Sequence, residues 1–358
     1  MDFKRIKNNV PKELWKMINW NSVQTEILNG YKNYEPVSLF IPRIYQLEAT
    51  NFCNLKCNMC PYKSMTRKKQ HMKFNLFKKI VDNDLYYKQA IELHLFGEST
   101  LHPDLSKMVK YAKNKGHIVG IATNATALTK EKSKELLDAG LDNIVLALDG
   151  ATKRTYEELR CGAQFELVKE NIKNFLRLKD SGKYSTYTVL QIIKMPKTKE
   201  EITAFKTEWN PFLKKGLDEL RIKKLFDSLG GNVNPEIQAP TYKHRLPCTE
   251  LWYGSAVLSN GDVVPCGRDY DGKIIFGNLN KQSLIEIFNS KKYQEFRLGH
   301  LCGEFSKNPL CKSCKEWDLI NLRNVPILSC NLLKGDNTRY NQIVSDPNFV
   351  YNKSKKVM

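Results

Sequence analysis

From residue 44 onward, short apolar runs alternate with longer stretches whose apolar residues recur every three or four positions. Residues 44–50 (Ile44, Tyr45, Gln46, Leu47, Glu48, Ala49, Thr50) alternate as a strand does and run into a polar loop. Residues 74–81 read as a helix and 91–96 as a strand. Leu105, Met108, Val109 and Ala112 share one helical face, and Gly116 stops that helix. A strand at 117–122 and a helix at 129–139, ended by Gly140, come next. Residues 143–148 are almost continuously apolar, as a strand buried on both faces should be. A helix at 165–178, a strand at 187–193, a helix at 200–213 and a strand at 220–222 close the series.

Six β–α units predict an α/β fold with a parallel, curved sheet and right-handed crossovers. Six are too few for a closed eight-strand barrel, so the expected form is a partial (β/α)6 TIM-like barrel with its site at the C-terminal strand ends. Near residues 229–245 the character changes: Gly230, Gly231, Pro235 and Pro240 mark a linker. A small cysteine-rich unit follows. Cys248 precedes two apolar runs joined by Asn260-Gly261, a signal for a hairpin with a type I′ turn. Cys266 follows the hairpin, Ser283 and Glu286 form a capping box before a helix at 284–296, and Cys311 and Cys314 close the set. The expected division is a leader at 1–42, a barrel at 43–230, a linker at 231–245, an auxiliary domain at 246–330 and a basic tail at 331–358. No internal repeat is visible.

The chain has 358 residues and a formal charge of +19. The lysines are scattered along helices rather than gathered in one block, which fits a Lys/Asn/Ile-rich composition better than a nucleic-acid surface. Hydrophobic residues make up 41%, enough for a core, and no apolar run approaches bilayer length. The start, Met1-Asp2-Phe3-Lys4-Arg5, lacks the apolar core of a signal peptide, so a cytoplasmic location is expected. Ten cysteines in such a chain argue for metal or catalysis rather than disulfides.

Cys53, Cys57 and Cys60 form a C-x3-C-x2-C frame in the polar loop. Thiolates suit iron–sulfur clusters or zinc. Three cysteines in one tight loop leave one iron of a [4Fe–4S] cluster open to a small molecule; free or zinc-bound cysteines are the alternative. The stretch around these cysteines resembles the opening of the radical S-adenosylmethionine (SAM) superfamily, in particular its SPASM/twitch branch. The resemblance implies that SAM chelates the open iron and is cleaved reductively to a 5′-deoxyadenosyl radical, which takes a hydrogen atom from the substrate. It also implies an oxygen-sensitive protein from an anaerobic or microaerobic setting, with flavodoxin or ferredoxin as reductant.

The resemblance extends to the strand ends. Phe96-Gly97-Glu98 stands where the family has Gly-Gly-Glu, which implies that Gly97 and Glu98 meet the SAM ammonium. Thr123-Asn124-Ala125 resembles the family's Thr-Asn-Gly, with Asn124 either contacting SAM or holding the loop. Ala147-Leu148-Asp149-Gly150 lacks the serine common in relatives, and Asp149 either binds substrate or starts a turn. Arg160 is expected to clamp the SAM carboxylate, and Gln191 to face the adenine end. Cys161 is either a small apolar filler or a hydrogen-atom donor, and His102 a structural residue. Cys248, Cys266, Cys311 and Cys314 would hold one auxiliary [4Fe–4S] cluster, while Cys302 and Cys330 fit the two-cluster pattern poorly. The expected substrate is small and polar, a sugar or aminocyclitol that is dehydrogenated, and an anionic group on it would suit the basic chain. Epimerisation and peptide modification are the alternatives within the family. A non-enzymatic iron–sulfur carrier is the alternative outside it, and Gly97-Glu98 argues against that, because a carrier needs no SAM site.

Overall fold

The structure is a computed structural model that describes residues 42–85, 89–224, 248, 250–301, 303–312 and 314. The leader up to residue 41, the linker at 231–245, the tail at 331–358, and Cys302 and Cys330 lie outside the described residues.

The apolar runs form one sheet. Strands β1 (Arg43–Leu47), β2 (Ala90–Glu92), β3 (Ile118–Thr123), β4 (Asn143–Ala147), β5 (Tyr187–Lys194) and β6 (Asp218–Lys224) pair in parallel and in sequence order. Between them lie α1 (Phe74–Asn83), α2 (Leu105–Asn114), α3 (Lys130–Asp138), α4 (Lys153–Leu159), α5 (Phe165–Ser181) and α6 (Ile202–Trp209). Their apolar stripes face the sheet: α1 buries Leu76, Phe77, Ile80 and Val81, and α5 buries Phe165, Val168, Ile172, Phe175 and Leu176. Thr129 and Thr152 cap α3 and α4 by accepting from the backbone N–H three residues on. This is the partial (β/α)6 barrel that the sequence predicts.

The auxiliary region continues the same sheet. After α7 (Glu250–Tyr253), strand β7 (Gly254–Val257) pairs in parallel with β1. Strands β8 (Asp262–Val264) and β9 (Gly277–Asn278) follow antiparallel, so the sheet order is β6-β5-β4-β3-β2-β1-β7-β8-β9. Helices α8 (Leu284–Phe288), α9 (Lys291–Leu301) and α10 (Pro309–Lys312) complete the fold.

Three expectations need correction, and one helix is added. The β7–β8 turn is not type I′: only Gly261 has a left-handed φ, +90°, and Gly261 N–H donates to Leu258 O while Leu258 N–H donates to Asp262 O. That is a three-residue loop with a glycine bulge, so Asn260 keeps an ordinary φ. The helix expected over 284–296 is two helices. Asn289 ends α8, and the Ser290 hydroxyl accepts from Tyr293 N–H at 3.3 Å to start α9. Strand β2 stops at Glu92 rather than 96, because the chain turns away to place Glu98 N–H on Phe52 O at 2.7 Å. Helix α4, which sequence periodicity does not separate from the loop after β4, is an addition.

Candidate active site

The cysteine loop after β1 is anchored from several sides. Cys53 N–H donates to Tyr62 Oη at 2.8 Å. Lys56 N–H and Asn58 N–H donate to the carbonyls of Cys161 (3.0 Å) and Leu159 (2.9 Å). Asn54 Oδ1 accepts from Asn124 Nδ2 at 3.2 Å, and Asn54 Nδ2 donates to Thr126 Oγ1 at 2.8 Å. Cys53, Cys57 and Cys60 are all free thiols. Burial pushes all three thiols up, Cys53 to about 12. Among the described residues no three His, Cys, Asp or Glu side chains converge closely enough for a single metal ion. Three thiols on one anchored loop suit the thiolate ligation of an iron–sulfur cluster.

Glu98 is the hub beside this loop. Its Oε1 accepts from Thr100 N–H (3.1 Å), Thr100 Oγ1 (2.6 Å) and Thr123 Oγ1 (2.6 Å), and its Oε2 from Asn124 N–H (2.7 Å). The side chain is buried at 2% exposure. Only glycine fits before it: φ at Gly97 is +120°, and a Cβ there would lie 2.4 Å from Thr50 O. Asn124 spends its side chain on Asn54 and Thr126, so it holds the cysteine loop. Ala125 adopts a left-handed φ of 59°.

Arg160 ends α4 against the same loop. Its Nε donates to Asp149 Oδ2 at 3.0 Å, Nη2 also reaches Asp149, and Nη1 lies 3.7 Å from Cys57 Sγ. Burial opposes its charge, but Asp149 and Cys57 outweigh that and hold it more basic than usual. Its fork engages Asp149 through Nε and Nη2, which leaves Nη1 on the Cys57 side. Asp149 is fully buried; its Oδ1 accepts from Ile193 N–H at 2.8 Å and its Oδ2 holds Arg160. Cys161 Sγ lies 3.3 Å from Glu158 O, turned onto its own helix end. His102 bridges Met72 O and Asp104 N–H, a structural role.

Residues 47–206 match the model of the radical SAM superfamily, and 248–315 that of the SPASM iron–sulfur cluster-binding domain. The chain belongs to the radical SAM superfamily. The cofactors of this radical SAM protein are accordingly SAM and [4Fe–4S] clusters. It is 27% identical over 319 residues to the tungsten-containing aldehyde ferredoxin oxidoreductase cofactor-modifying protein of Pyrococcus furiosus, covering 76% of this chain and 86% of that one. The S-adenosyl-L-methionine-dependent 2-deoxy-scyllo-inosamine dehydrogenase of Niallia circulans is 22% identical, over 75% of this chain and 91% of that one. The structure of BtrN in complex with AdoMet and 2-DOIA shares the fold, with a TM-score of 0.51 at 19% identity, over 76% of this chain and 94% of that one.

In the SPASM region Cys248, Cys266, Cys311 and Cys314 line one cavity with apolar walls from Leu251, Pro265, Phe296 and Leu310. Burial pushes the Cys266 thiol to about 12 and Cys248 well above its ordinary value. Thiolates must form before they ligate, so loading such a site releases protons. Four cysteines from three separate elements around one cavity fit an auxiliary cluster.

The inner face of the barrel is polar, which the sequence reading passed over. Strand register puts Gln46, Glu92, Gly120, Asn143 and Tyr187 on one tier, and Gln191 beside Arg221 nearer the strand ends. Glu92 and His94 on the β2 side, and Glu219, Arg221 and Lys223 on β6, are all partly accessible. The signal was present: within 91–95, Glu92 and His94 alternate with Ile91, Leu93 and Leu95, and within 219–223, Glu219, Arg221 and Lys223 alternate with Leu220 and Ile222. No helix among the described residues is long and apolar enough to cross a membrane.

Proposed function

We propose that this radical SAM protein oxidises a small polar substrate of the sugar or aminocyclitol class, held in the barrel beneath the cysteine loop. The observation that carries this reading is the polar inner face formed by Glu92, His94, Glu219, Arg221 and Lys223, all partly accessible, with buried Gln191 beside Arg221. A polyol asks for many hydrogen-bonding groups on all sides, whereas an extended peptide asks for a groove with apolar pockets.

Bound SAM and its cluster supply the hydrogen-atom abstraction; the protein's own residues position and shield. Cys53, Cys57 and Cys60 would hold the cluster. Glu98 would receive the SAM ammonium through the free lone-pair sites of its carboxylate, while Thr100, Thr123 and Asn124 fix the carboxylate's orientation. Arg160, pinned by Asp149, would put its remaining N–H edge toward the Cys57 side of the cluster and the SAM carboxylate. Gln191 would serve the far end of the same site. Cys248, Cys266, Cys311 and Cys314 would hold one auxiliary [4Fe–4S] cluster, an electron acceptor that dehydrogenation needs and epimerisation does not. The turn of Cys161 Sγ toward Glu158 O favours dehydrogenation over epimerisation through that thiol. An anionic substituent on the substrate would suit Arg221 and Lys223. A ferredoxin or flavodoxin in the cytoplasm is the proposed electron donor.

The test is the reconstituted protein with SAM, dithionite and a panel of C-deuterated cyclic polyols, aminocyclitols, sugar phosphates and short peptides. Deuterium in 5′-deoxyadenosine together with a ketone from a polyol or aminocyclitol supports the reading. Deuterium transfer only from peptides would overturn it.

A further inference from the structure

Oxidising a carbinol takes two exits, one for an electron and one for the hydroxyl proton. The β1–β2 side of the barrel brings candidates for both together. Gln46 is in register with Glu92 across β1 and β2. Gly267, the residue after the auxiliary-site Cys266, packs so closely on Gln46 that a Cβ there would lie 2.1 Å from Gln46 Oε1. Glu92 therefore lies one side chain away from the auxiliary-site loop.

Glu92 is built into this place. A Cβ on Gly120, its neighbour on β3, would lie 2.4 Å from Glu92 Oε2, so the missing side chain of Gly120 makes the room for the carboxylate. The Glu92 side chain is 38% accessible, and strand register places it on the barrel's inner face. His94 Nδ1 lies 3.5 Å from Glu92 Oε2. The other titratable groups facing the pair are Arg221, Glu219 and Lys223 from β6 and Tyr187 from β5; Gln46, Gly120 and Asn143 supply none. Arg221 is held by Glu219 at 2.9 Å, and Tyr187 Oη donates to the same carboxylate at 2.9 Å.

We propose that Glu92, with His94 beside it, is the proton acceptor for the hydroxyl of the carbon being oxidised. The inference rests on the dehydrogenation reading above. Once a hydrogen atom has left the carbinol carbon, the O–H bond breaks and its proton goes to a Glu92 carboxylate oxygen. The carbon–oxygen π bond then forms as one electron leaves for an acceptor of the iron–sulfur class. The product is a ketone, and the proton then leaves Glu92 for water. Burial pushes Glu92 up to about 7 and His94 down to about 4, so near neutrality a carboxylate able to take a proton stands beside an uncharged imidazole.

The experiment uses the cluster-loaded holoenzyme and its Glu92→Gln and Glu92→Asp variants. With the polyols and aminocyclitols of the panel, wild-type ketone formation should rise as pH passes about 7. Glu92→Gln should lower it by roughly 100-fold and remove that limb, and Glu92→Asp should restore part of both. Melting supplies a readout independent of turnover. A carboxyl with a raised pKa burdens the folded state only when ionised, so stability is lost as pH climbs from the unfolded value through about 7. Glu92→Gln should therefore melt higher than wild type at pH 8, by a margin that shrinks toward pH 5 and vanishes below about pH 4. Ketone formation in Glu92→Gln within two-fold of wild type, or a melting difference that does not change with pH, overturns this proposal alone. Absence of ketone from every polyol and aminocyclitol in the wild type overturns the dehydrogenation reading and this proposal with it.

Discussion

Glu98→Gln is a sharp perturbation because it separates the observed hydrogen-bond hub from the proposed SAM contact. Four donors point at it inside the protein: Thr100 N–H, Thr100 Oγ1, Thr123 Oγ1 and Asn124 N–H. Glutamine keeps the shape but replaces one acceptor oxygen with a donor. Placed at Oε2, the new NH2 would face Asn124 N–H, leaving a buried donor unsatisfied at a cost of about 1–3 kcal/mol. At about 2–4 °C per kcal/mol for a chain of this order of size, melting should fall by roughly 2–12 °C. The second job is the proposed bond to the SAM ammonium. A charge-assisted hydrogen bond is worth about 1.5–3 kcal/mol, so SAM should bind roughly 10- to 150-fold more weakly. Equilibrium dialysis of labelled SAM on the reconstituted variant, with melting curves in parallel, reads both. A lower melting point with unchanged SAM affinity would confine Glu98 to the hub and refute its SAM role. Unchanged melting would refute the hub as described here.

Three further substitutions test other parts of the site. Asp149→Asn removes the charged partner of buried Arg160 and should cost about 3–5 kcal/mol, read by chemical denaturation; a cost below 1 kcal/mol would contradict the positioning role. Gly97→Ala forces a Cβ toward Thr50 O, 2.4 Å away on the segment that leads into the cysteine loop, so iron incorporation should fall sharply, and full loading would contradict the account. Cys161→Ala should form oxidised product in D2O at near wild-type rate. An inverted product carrying solvent deuterium in the wild type, lost in the variant, would establish an epimerase instead.

The barrel was legible because its strands are apolar on the helix side and its helices carry clean stripes, as in the 143–148 run and the buried face of α5. The cysteine sets were legible because ligand spacing within a loop is a local property. Tertiary consequences were not. Nothing local says that Gly254–Val257 pairs with β1 and extends the barrel sheet, since register between distant strands is set by packing. The fork of Arg160 is taken by Asp149, eleven residues earlier, a pairing that only the close of α4 against β4 creates. Asn124 falls in the same class: a turn asparagine in sequence, it holds the cysteine loop through Asn54 in space. Glu92 and His94 were visible as an alternation, but the strand was read for its apolar half alone.

The central claim is a cluster-dependent SAM chemistry at Cys53, Cys57 and Cys60 with a second, independent cluster in the SPASM region. The most direct measurement is iron and sulfide content together with 5′-deoxyadenosine formation, for wild type and for the variant with all three cysteines replaced by alanine. The wild type should hold about eight irons and the variant about four, with SAM cleavage abolished in the variant. SAM cleavage that survives in the variant, or zinc in place of the remaining iron, would contradict the claim.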